Sequence, residues 1–279
     1  MTNLRGRSLR GRVVAISGGA RGIGDATARA LAAAGARVAV GDLDADLAAR
    51  SAQAYGGLAL PLDVTSEASY AAFLEKVVAE HGRIDGLVNN AGIMVIGRHL
   101  DVPIEHQLKQ LDINLKGVIN GCHAVAPLMI AAGGGRIVNI ASLAGRFAAP
   151  GAAVYSATKA AVLALSDALD AELAEQGVRV SAVMPSFTNT GLISGTVAPA
   201  MTPAIEPDQV AAAVVRLIGR RRYRPQATVP PRLAFSAAQW TLMPQRTRRW
   251  LSDKTGMATM FLDVDHDARA AYEERTTGD

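Results

Sequence analysis

Cysteine is almost absent from this chain of 279 residues, which contains Cys122 and no other, so no intramolecular disulfide bond can form. That composition fits a reducing compartment, and we expect a cytoplasmic protein. No uninterrupted apolar run approaches the roughly 20 residues of a membrane-spanning helix. The apolar run at residues 13–16 is too short for the core of an export signal. We therefore expect neither a membrane span nor an export signal.

Metal-binding patterns are also lacking. The histidines are His81, His99, His106, His123 and His266. No two of them are four residues apart, and none has a cysteine partner at the spacing of a metal site. We predict no metal site.

Acidic residues are missing from one long stretch, because residues 209–252 contain nine arginines and no aspartate or glutamate. The arginines lie near Trp240 and Trp250, a combination that suits an anionic membrane surface. The alternative is a solvated basic helix packed on the domain or on a partner subunit. No recognised nucleic-acid-binding module accompanies the arginines, so we expect no nucleic-acid partner.

The rest of the chain alternates between short β-rich apolar runs and longer Ala/Leu-rich helical runs. The predicted strands are residues 12–17, 37–41, 58–62, 84–89, 136–141 and 178–184, and the first predicted helices are 23–34, 45–55 and 66–81. The strand runs show no polar alternation, which is typical of strands buried on both faces. This pattern predicts an α/β fold with a doubly wound parallel sheet covered by helices on both sides.

No repeat or low-complexity linker divides the chain. We expect a single domain over residues 1–224 and a basic C-terminal extension over residues 225–279. Residues 186–207 are rich in glycine and proline, and we expect them to form a substrate loop between the sixth strand and a helix that starts near Asp208.

The first strand leads into a glycine-rich turn that contains Gly18, Gly22 and Gly24 and opens a helix. Glycines let the backbone approach a diphosphate, which the helix N-terminus favours electrostatically. Asp42 stands 18 residues after Gly24, at the end of the second strand, where an acid can accept hydrogen bonds from the adenosine ribose. Arg21 favours NADP, but a 2′-phosphate would lie beside Asp42, so we predict NAD rather than NADP.

A second set of residues carries acid–base chemistry. Tyr155 and Lys159 are four residues apart in a helical stretch, so they share a face. A nearby ammonium favours the phenolate and lowers the pKa of a tyrosine. Ser142 follows a buried strand, which places its hydroxyl at the carboxyl edge of the sheet, where it can hydrogen-bond a substrate oxygen.

Taken together, these residues resemble the short-chain dehydrogenase/reductase family over residues 10 to about 220. The motifs that match the family in order are Gly18/Gly22/Gly24, Leu62-Asp63-Val64, Asn89-Asn90-Ala91-Gly92, Asn114, Ser142 and the Tyr155/Lys159 pair. The resemblance implies a Rossmann fold and an oxidoreductase.

The resemblance also implies roles for these residues. Tyr155 would be the acid/base, Ser142 would orient the substrate oxygen, Lys159 would lower the tyrosine pKa and bind the nicotinamide ribose, and Asn114 would hold a relay water. The implied cofactor-binding residues are Gly18, Arg21, Gly22, Ile23, Gly24, Asp42, Asp63, Val64, Asn90, Ala91, Gly92, Tyr155, Lys159, Pro185 and Thr190. Assembly as a homotetramer is implied as well, or as a dimer if the tail blocks one interface.

The chain departs from the family at three places. Ser17 stands where the glycine motif usually begins with threonine, and it keeps the hydroxyl group. Ser186 follows Pro185 where the family has glycine, which puts the shape of the pocket in question. The tail beyond about residue 225 runs past the usual family length.

We expect an NAD-dependent enzyme that interconverts an alcohol and a carbonyl compound. Apolar pocket candidates favour a lipophilic secondary alcohol, of up to steroid size, and they are Met94, Phe147, Phe187, Leu192 and Ile193. The alternatives are an NADPH-dependent carbonyl reductase and a non-catalytic sensor that binds a dinucleotide.

Overall fold

The computed structural model describes residues 9–198, 204–220 and 222–278. Seven strands form one parallel sheet in the order β3-β2-β1-β4-β5-β6-β7. The strands are β1 (Val13–Ser17), β2 (Arg37–Asp42), β3 (Leu58–Pro61), β4 (Gly86–Asn89), β5 (Gly135–Ile140), β6 (Val178–Pro185) and β7 (Gln226–Val229). This is the predicted doubly wound α/β architecture, a Rossmann fold.

The helices cover both faces of the sheet and its carboxyl edge. They are α1 (Gly22–Ala33), α2 (Ala45–Gln53), α3 (Glu67–His81), α4 (Ile104–Leu111), α5 (Gly117–Ala131), α6 (Ala153–Leu173), α7 (Pro207–Gly219), α8 (Leu233–Leu242), α9 (Gln245–Thr255) and α10 (His266–Thr277). A π-helical turn, Asp112–Lys116, joins α4 to α5. In the part of the chain that the structure describes, no helix is long and apolar enough to cross a membrane.

The sheet separates two apolar cores, because successive side chains of a strand point to opposite faces. Val13 and Ala15 of β1 pack with α3, α5 and α6, whereas Val14 and Ile16 pack with α1, α2 and α7. Burial on both faces explains why the strand runs lack polar alternation. The predicted strands match β1–β6 with ends shifted by at most two residues.

The seventh strand was not predicted from the sequence. β7 pairs with β6 in parallel register, from Ala182 opposite Gln226 to Pro185 opposite Val229. The sheet therefore extends past residue 224, where we expected the extension to begin. β7 has four residues between Pro225 and Pro230, too short a run to stand out by periodicity.

The substrate loop returns along the edge of the sheet. Thr188 and Ile205 form an isolated parallel bridge, and α7 begins at Pro207 with a capping box from Glu206 and Gln209. Residues 199–203 of the predicted loop lie outside the described residues.

The C-terminal segment folds back over the carboxyl edge of the sheet. Trp240 of α8 contacts Phe147, with ring centres 5.1 Å apart, and Phe261 stacks on Phe187 of the substrate loop, with ring centres 5.6 Å apart. Phe261 and Tyr155 belong to one buried apolar cluster. The segment beyond β7 is therefore part of the packed structure around α6, the helix that carries Tyr155 and Lys159.

Candidate active site

The turn after β1 has no room for side chains at its glycines. Gly18 has a φ angle of +67°, a left-handed conformation that favours glycine. A Cβ atom on Gly24 would collide with the carbonyl oxygen of Gly18. Arg21, at the N-cap of α1, makes no side-chain capping bond, so the first N–H groups of the helix are available to an anion. This turn therefore fits the diphosphate of a dinucleotide.

Two acids and one arginine lie where the adenosine ribose is expected. The Asp42 carboxylate accepts hydrogen bonds from the backbone N–H groups of Ala20, at 3.0 Å, and Asp44, at 3.1 Å. The guanidinium of Arg21 forms an ion pair with Asp44, at 2.7 Å. The corner has two negative charges and one positive charge, so it disfavours a further phosphate.

The residues after β4 hold the glycine turn against the neighbouring strand. The side-chain amide of Asn90 donates to the carbonyl oxygens of Ser17, at 3.2 Å, and Gly18, at 2.7 Å. The backbone N–H groups of Asn90 and Ala91 lie 3.1 and 3.3 Å from Ser17 Oγ. Asn90 therefore positions the turn from the side of β4.

The predicted adenine-side residues line the same cavity as Asp42. They are Asp63 and Val64, and Ile23, predicted to bind the cofactor from the glycine turn, lines the cavity as well. Asp63 Oδ1 accepts hydrogen bonds from the N–H group, at 2.9 Å, and the hydroxyl group, at 2.8 Å, of Thr65, which fixes the turn after β3.

Asn114 lies in the π-helical turn between α4 and α5, a distortion that often occurs at functional sites. It is fully buried, and its amide exchanges two hydrogen bonds, each of 2.8 Å, with the backbone of Ile93. A Cβ atom on Gly92 would lie 3.1 Å from Asn114 Oδ1 and 3.6 Å from Lys159 Nζ. The structure thus brings the predicted Asn114 and Lys159 close to the same point beside Gly92.

Tyr155 and Lys159 lie in the first turns of α6, and both are buried. Lys159 Nζ is 5.7 Å from the centre of the Tyr155 ring and donates to the carbonyl oxygen of Ile140, at 2.9 Å. Ser142 lies two residues beyond the end of β5, close enough to Tyr155 to act on the pKa of its phenol, and both residues line the same cavity. The three predicted side chains therefore meet at the carboxyl end of β5.

Burial controls the protonation of this pair. It raises the pKa of Tyr155 to about 12, although the hydrogen bond to Ser142 acts in the opposite direction. Burial also lowers the pKa of Lys159 to about 8. We expected the ammonium to lower the tyrosine pKa, but withdrawal of both groups from water has the larger effect. At neutral pH Tyr155 is a phenol that can donate a proton to a carbonyl oxygen.

The substrate loop passes directly over the glycine turn. Pro185 ends β6, and Ser186 takes the place of the family glycine without a positive φ angle, so the departure introduces no backbone strain. A Cβ atom on Gly22 would lie 3.3 Å from Thr190 Cγ2. Pro185, Ser186 and Thr190 all line the cavity, and Pro185 and Thr190 are among the predicted cofactor-binding residues.

A cavity of about 1250 Å³ runs from the Asp42 corner past Tyr155 to the C-terminal segment. The five predicted apolar residues all line it, namely Met94, Phe147, Phe187, Leu192 and Ile193. The C-terminal segment adds Leu233, Trp240, Met243, Leu251, Met257, Met260 and Phe261. The substrate end is therefore predominantly apolar.

Sequence reasoning missed the residues of α10 that enclose this chamber. Arg269 is fully buried and donates to the carbonyl oxygens of Leu192, at 3.0 Å, Ser194, at 2.9 Å, and Met94. The Tyr272 hydroxyl accepts a hydrogen bond from the N–H group of Met94, at 2.8 Å. Arg269 thus joins the substrate loop to the loop after β4. The helix is too polar in sequence to indicate a buried face.

Metal-binding clusters are absent from the described residues, where no three His, Cys, Asp or Glu side chains are grouped to hold an ion.

Three features together define a nicotinamide-dependent oxidoreductase. They are the Rossmann fold, the glycine turn that fits a dinucleotide, and the arrangement of Ser142, Tyr155 and Lys159 beside that turn. The chain belongs to the short chain dehydrogenase family, whose model matches residues 12–199. That family uses NAD(P)(H).

Three similar proteins illustrate the relationship. The oxidoreductase EphD of Mycobacterium tuberculosis is 41% identical over 191 residues, which are 66% of this chain and 32% of EphD, so this chain spans about a third of that relative. Oxidoreductase UcpA of Escherichia coli is 35% identical over 235 residues, 82% of this chain and 89% of UcpA. A 3-ketoacyl-(acyl-carrier-protein) reductase from Brucella melitensis, crystallised with NADH, has a TM-score of 0.73 and 30% identity, covering 80% of this chain and 98% of that one.

We expect Arg269→Met to lower the free energy of unfolding by about 2–4 kcal/mol, because three carbonyl oxygens, one buried and two partly buried, lose a charged donor. The substrate KM should rise with it, since two chamber loops lose their link. Arg275→Met is the control for the change in stability, because Arg275 lies on the same helix but is exposed. Urea unfolding that gives equal stability for both variants would contradict the role of Arg269.

We expect Lys159→Met to abolish turnover and yet to stabilise the fold at pH 7 by about 1–3 kcal/mol, because it removes a buried charge. The pKa of Lys159 is about 8 in the folded protein and 10.5 in the unfolded chain. Between pH 8 and pH 10.5 the unfolded chain therefore binds more protons than the folded protein, and the stability of the wild type rises with pH. The advantage of the variant should therefore shrink from pH 7 to pH 9.5 in denaturant titrations. Lys76→Met, at an exposed site on α3, should show no such trend.

Proposed function

We propose that this protein is an NAD-dependent dehydrogenase that interconverts a lipophilic secondary alcohol and its ketone. The observation that carries the proposal is that Ser142, Tyr155 and Lys159 line one cavity, which has an acidic ribose corner at one end and apolar walls at the other. The acidic ribose corner indicates the cofactor and the apolar walls indicate the substrate class, so the two ends of the cavity are needed together.

The residues of the chain divide the chemistry among them. Tyr155 exchanges a proton with the substrate oxygen, and Ser142 hydrogen-bonds that oxygen and the tyrosine. Lys159 supplies a positive charge beside the phenol. A bound nicotinamide dinucleotide would supply the hydride donor or acceptor. The glycine turn, Asp42, Lys159 and Thr190 would hold it.

The charges of the ribose corner support NAD. Asp42 and Asp44 outnumber Arg21, and the arginine is already paired with Asp44. A 2′-phosphate would face net negative charge and find no free cation in this group. The Brucella melitensis reductase, crystallised with NADH, adds support by similarity.

The lining of the chamber supports a lipophilic substrate. A typical ligand site measures about 300–1,000 Å³, and this cavity is larger because it would hold a dinucleotide and a substrate together. Aromatic and methionine side chains surround the substrate end, which suits bulky secondary alcohols of up to steroid size.

A second candidate function is NADPH-dependent carbonyl reduction. Arg21 in the glycine turn favours the phosphate of NADPH, and the raised pKa of Tyr155 favours the direction of carbonyl reduction, because it keeps a proton available for a carbonyl oxygen. A dinucleotide sensor without turnover is the third candidate.

Assembly of two or four copies is part of the same proposal. α4 and α5 expose a row of apolar side chains that a second copy would cover, namely Ile104, Leu108, Leu111 and Ile119. A cytoplasmic location also stays a prediction.

We expect Tyr155→Phe to lower kcat by about 10²–10⁴-fold, because the proton donor and acceptor is removed. The measurement is the absorbance of the reduced nicotinamide with NAD or NADP and secondary alcohols from short to steroid-sized. NADH binding, followed by fluorescence, should persist, and Tyr55→Phe should be active. Turnover that survives in Tyr155→Phe, or NADH binding without turnover of any alcohol or ketone by the wild type, would contradict the dehydrogenase.

We expect Asp42→Asn to shift the ratio of kcat/KM for NAD over NADP by about 10–100-fold towards NADP, because one negative charge leaves the ribose corner. Asp46→Asn, an exposed position in the first turn of α2, is matched in chemistry and should leave the ratio unchanged. An unchanged ratio in Asp42→Asn would remove the charge argument for NAD.

A further inference from the structure

The outer sides of α8 and α9 carry large apolar side chains and arginines in water. Phe235 and Leu242, seven residues apart on one side of α8, are 71% and 85% exposed. Trp250 on α9 is 59% exposed, and Arg246 and Arg249 lie on the same side of that helix. We call these five residues the tail surface.

The fold does not require these side chains, because other residues attach the two helices. Ala237 and Trp240 are the buried residues of α8, and Trp240 packs on Phe147. On α9, Leu251 and Thr255 face the cavity. An exposed Phe, Leu and Trp on two consecutive helices that also carry exposed arginines indicate a surface that meets another phase or molecule.

The charge of this region selects an anionic occupant. Helix α9 carries Arg246, Arg248, Arg249 and Lys254 against a single acid, Asp253, so the tail surface stays net positive. A second copy docked face to face would bring arginine against arginine, and such like-charge contacts are costly. Amphipathic helices with arginine, Trp, Phe and Leu on one side typically lie in the headgroup region of an anionic bilayer.

The position of the tail surface connects it with the substrate chamber. The same two helices that expose Phe235 and Trp250 line the cavity with Gln239, Met243 and Leu251. A bilayer against the outer side would lie next to the chamber wall. Lipophilic alcohols concentrate in bilayers, so a docked enzyme would lie close to its substrate. This link between docking and the substrate rests on the proposed function.

We propose that α8 and α9 dock the protein on an anionic lipid surface through Phe235, Leu242, Trp250, Arg246 and Arg249. The apolar side chains enter the headgroup region and the two arginines pair with lipid phosphates. The docked enzyme takes its substrate from the membrane.

Sedimentation with lipid vesicles tests the electrostatic part. The full chain should bind vesicles of phosphatidylglycerol and phosphatidylcholine, bind pure phosphatidylcholine weakly, and dissociate at high salt. Each basic residue near an anionic surface strengthens binding roughly fivefold, so Arg246→Gln/Arg249→Gln should weaken binding by roughly 25-fold. Arg37→Gln/Arg50→Gln, an equal change of charge on β2 and α2 near the other edge of the sheet, should bind as the wild type does.

Fluorescence tests the apolar part, because the chain has two tryptophans and only Trp250 is exposed. In Trp240→Phe, which keeps an aromatic ring against Phe147, the emission of Trp250 should shift to shorter wavelength on anionic vesicles and be quenched by brominated lipid. Tyr155→Phe should bind vesicles fully, so failure of the proposed chemistry and failure of docking are distinguishable.

Three results would overturn the proposal. The first is equal vesicle binding by the two arginine variants. The second is a Trp250 that brominated lipid does not quench. The third is a shift of the Trp250 emission with protein concentration in the absence of vesicles, together with dissociation of an oligomer in Trp250→Ser. That result would show that a second copy of the chain covers the surface.

Discussion

All seven strands run parallel, and the rest of the structure depends on that constraint. Parallel strands bring their carboxyl ends to one edge, so the loops that follow them converge. Gly18 follows β1, Asp42 ends β2, Asn90 follows β4, Ser142 follows β5 and Pro185 ends β6. Residues separated by as many as 167 positions in the chain therefore line one cavity. The sheet fixes the positions of the loops, and the loops carry the side chains of the candidate site.

The site works against the preference of charged groups for water. Tyr155 and Lys159 are placed where burial favours the neutral form of each, so the lysine is poised to titrate near pH 8. A charge held in such a place costs stability, and Lys159 keeps a hydrogen bond to Ile140 as partial compensation. This conflict between folding and function is typical of residues that exchange protons.

The C-terminal segment turns an open sheet edge into an enclosed chamber. Its buried arginine, Arg269, donates hydrogen bonds to three carbonyl oxygens from two loops. The positions of those loops therefore depend on α10, which begins more than 70 residues after the segment of the substrate loop that it contacts. Phe261 and Trp240 add aromatic contacts at the chamber wall. The enclosure excludes water from Tyr155, and the same segment presents the tail surface outward.

The sequence by itself determined the doubly wound fold, strands β1–β6, the glycine turn and the set of Asn114, Ser142, Tyr155 and Lys159, because periodicity and motif spacing are local properties of the chain. Other features depended on distant contacts. β7 is recognisable by its pairing with β6, Arg269 becomes buried when α10 packs on two remote loops, and the pKa of Tyr155 follows from the water that packing removes. Only the tertiary structure decided these three features. Burial and long-range hydrogen bonds form between distant segments, and the local sequence of one segment does not indicate which other segment it will contact.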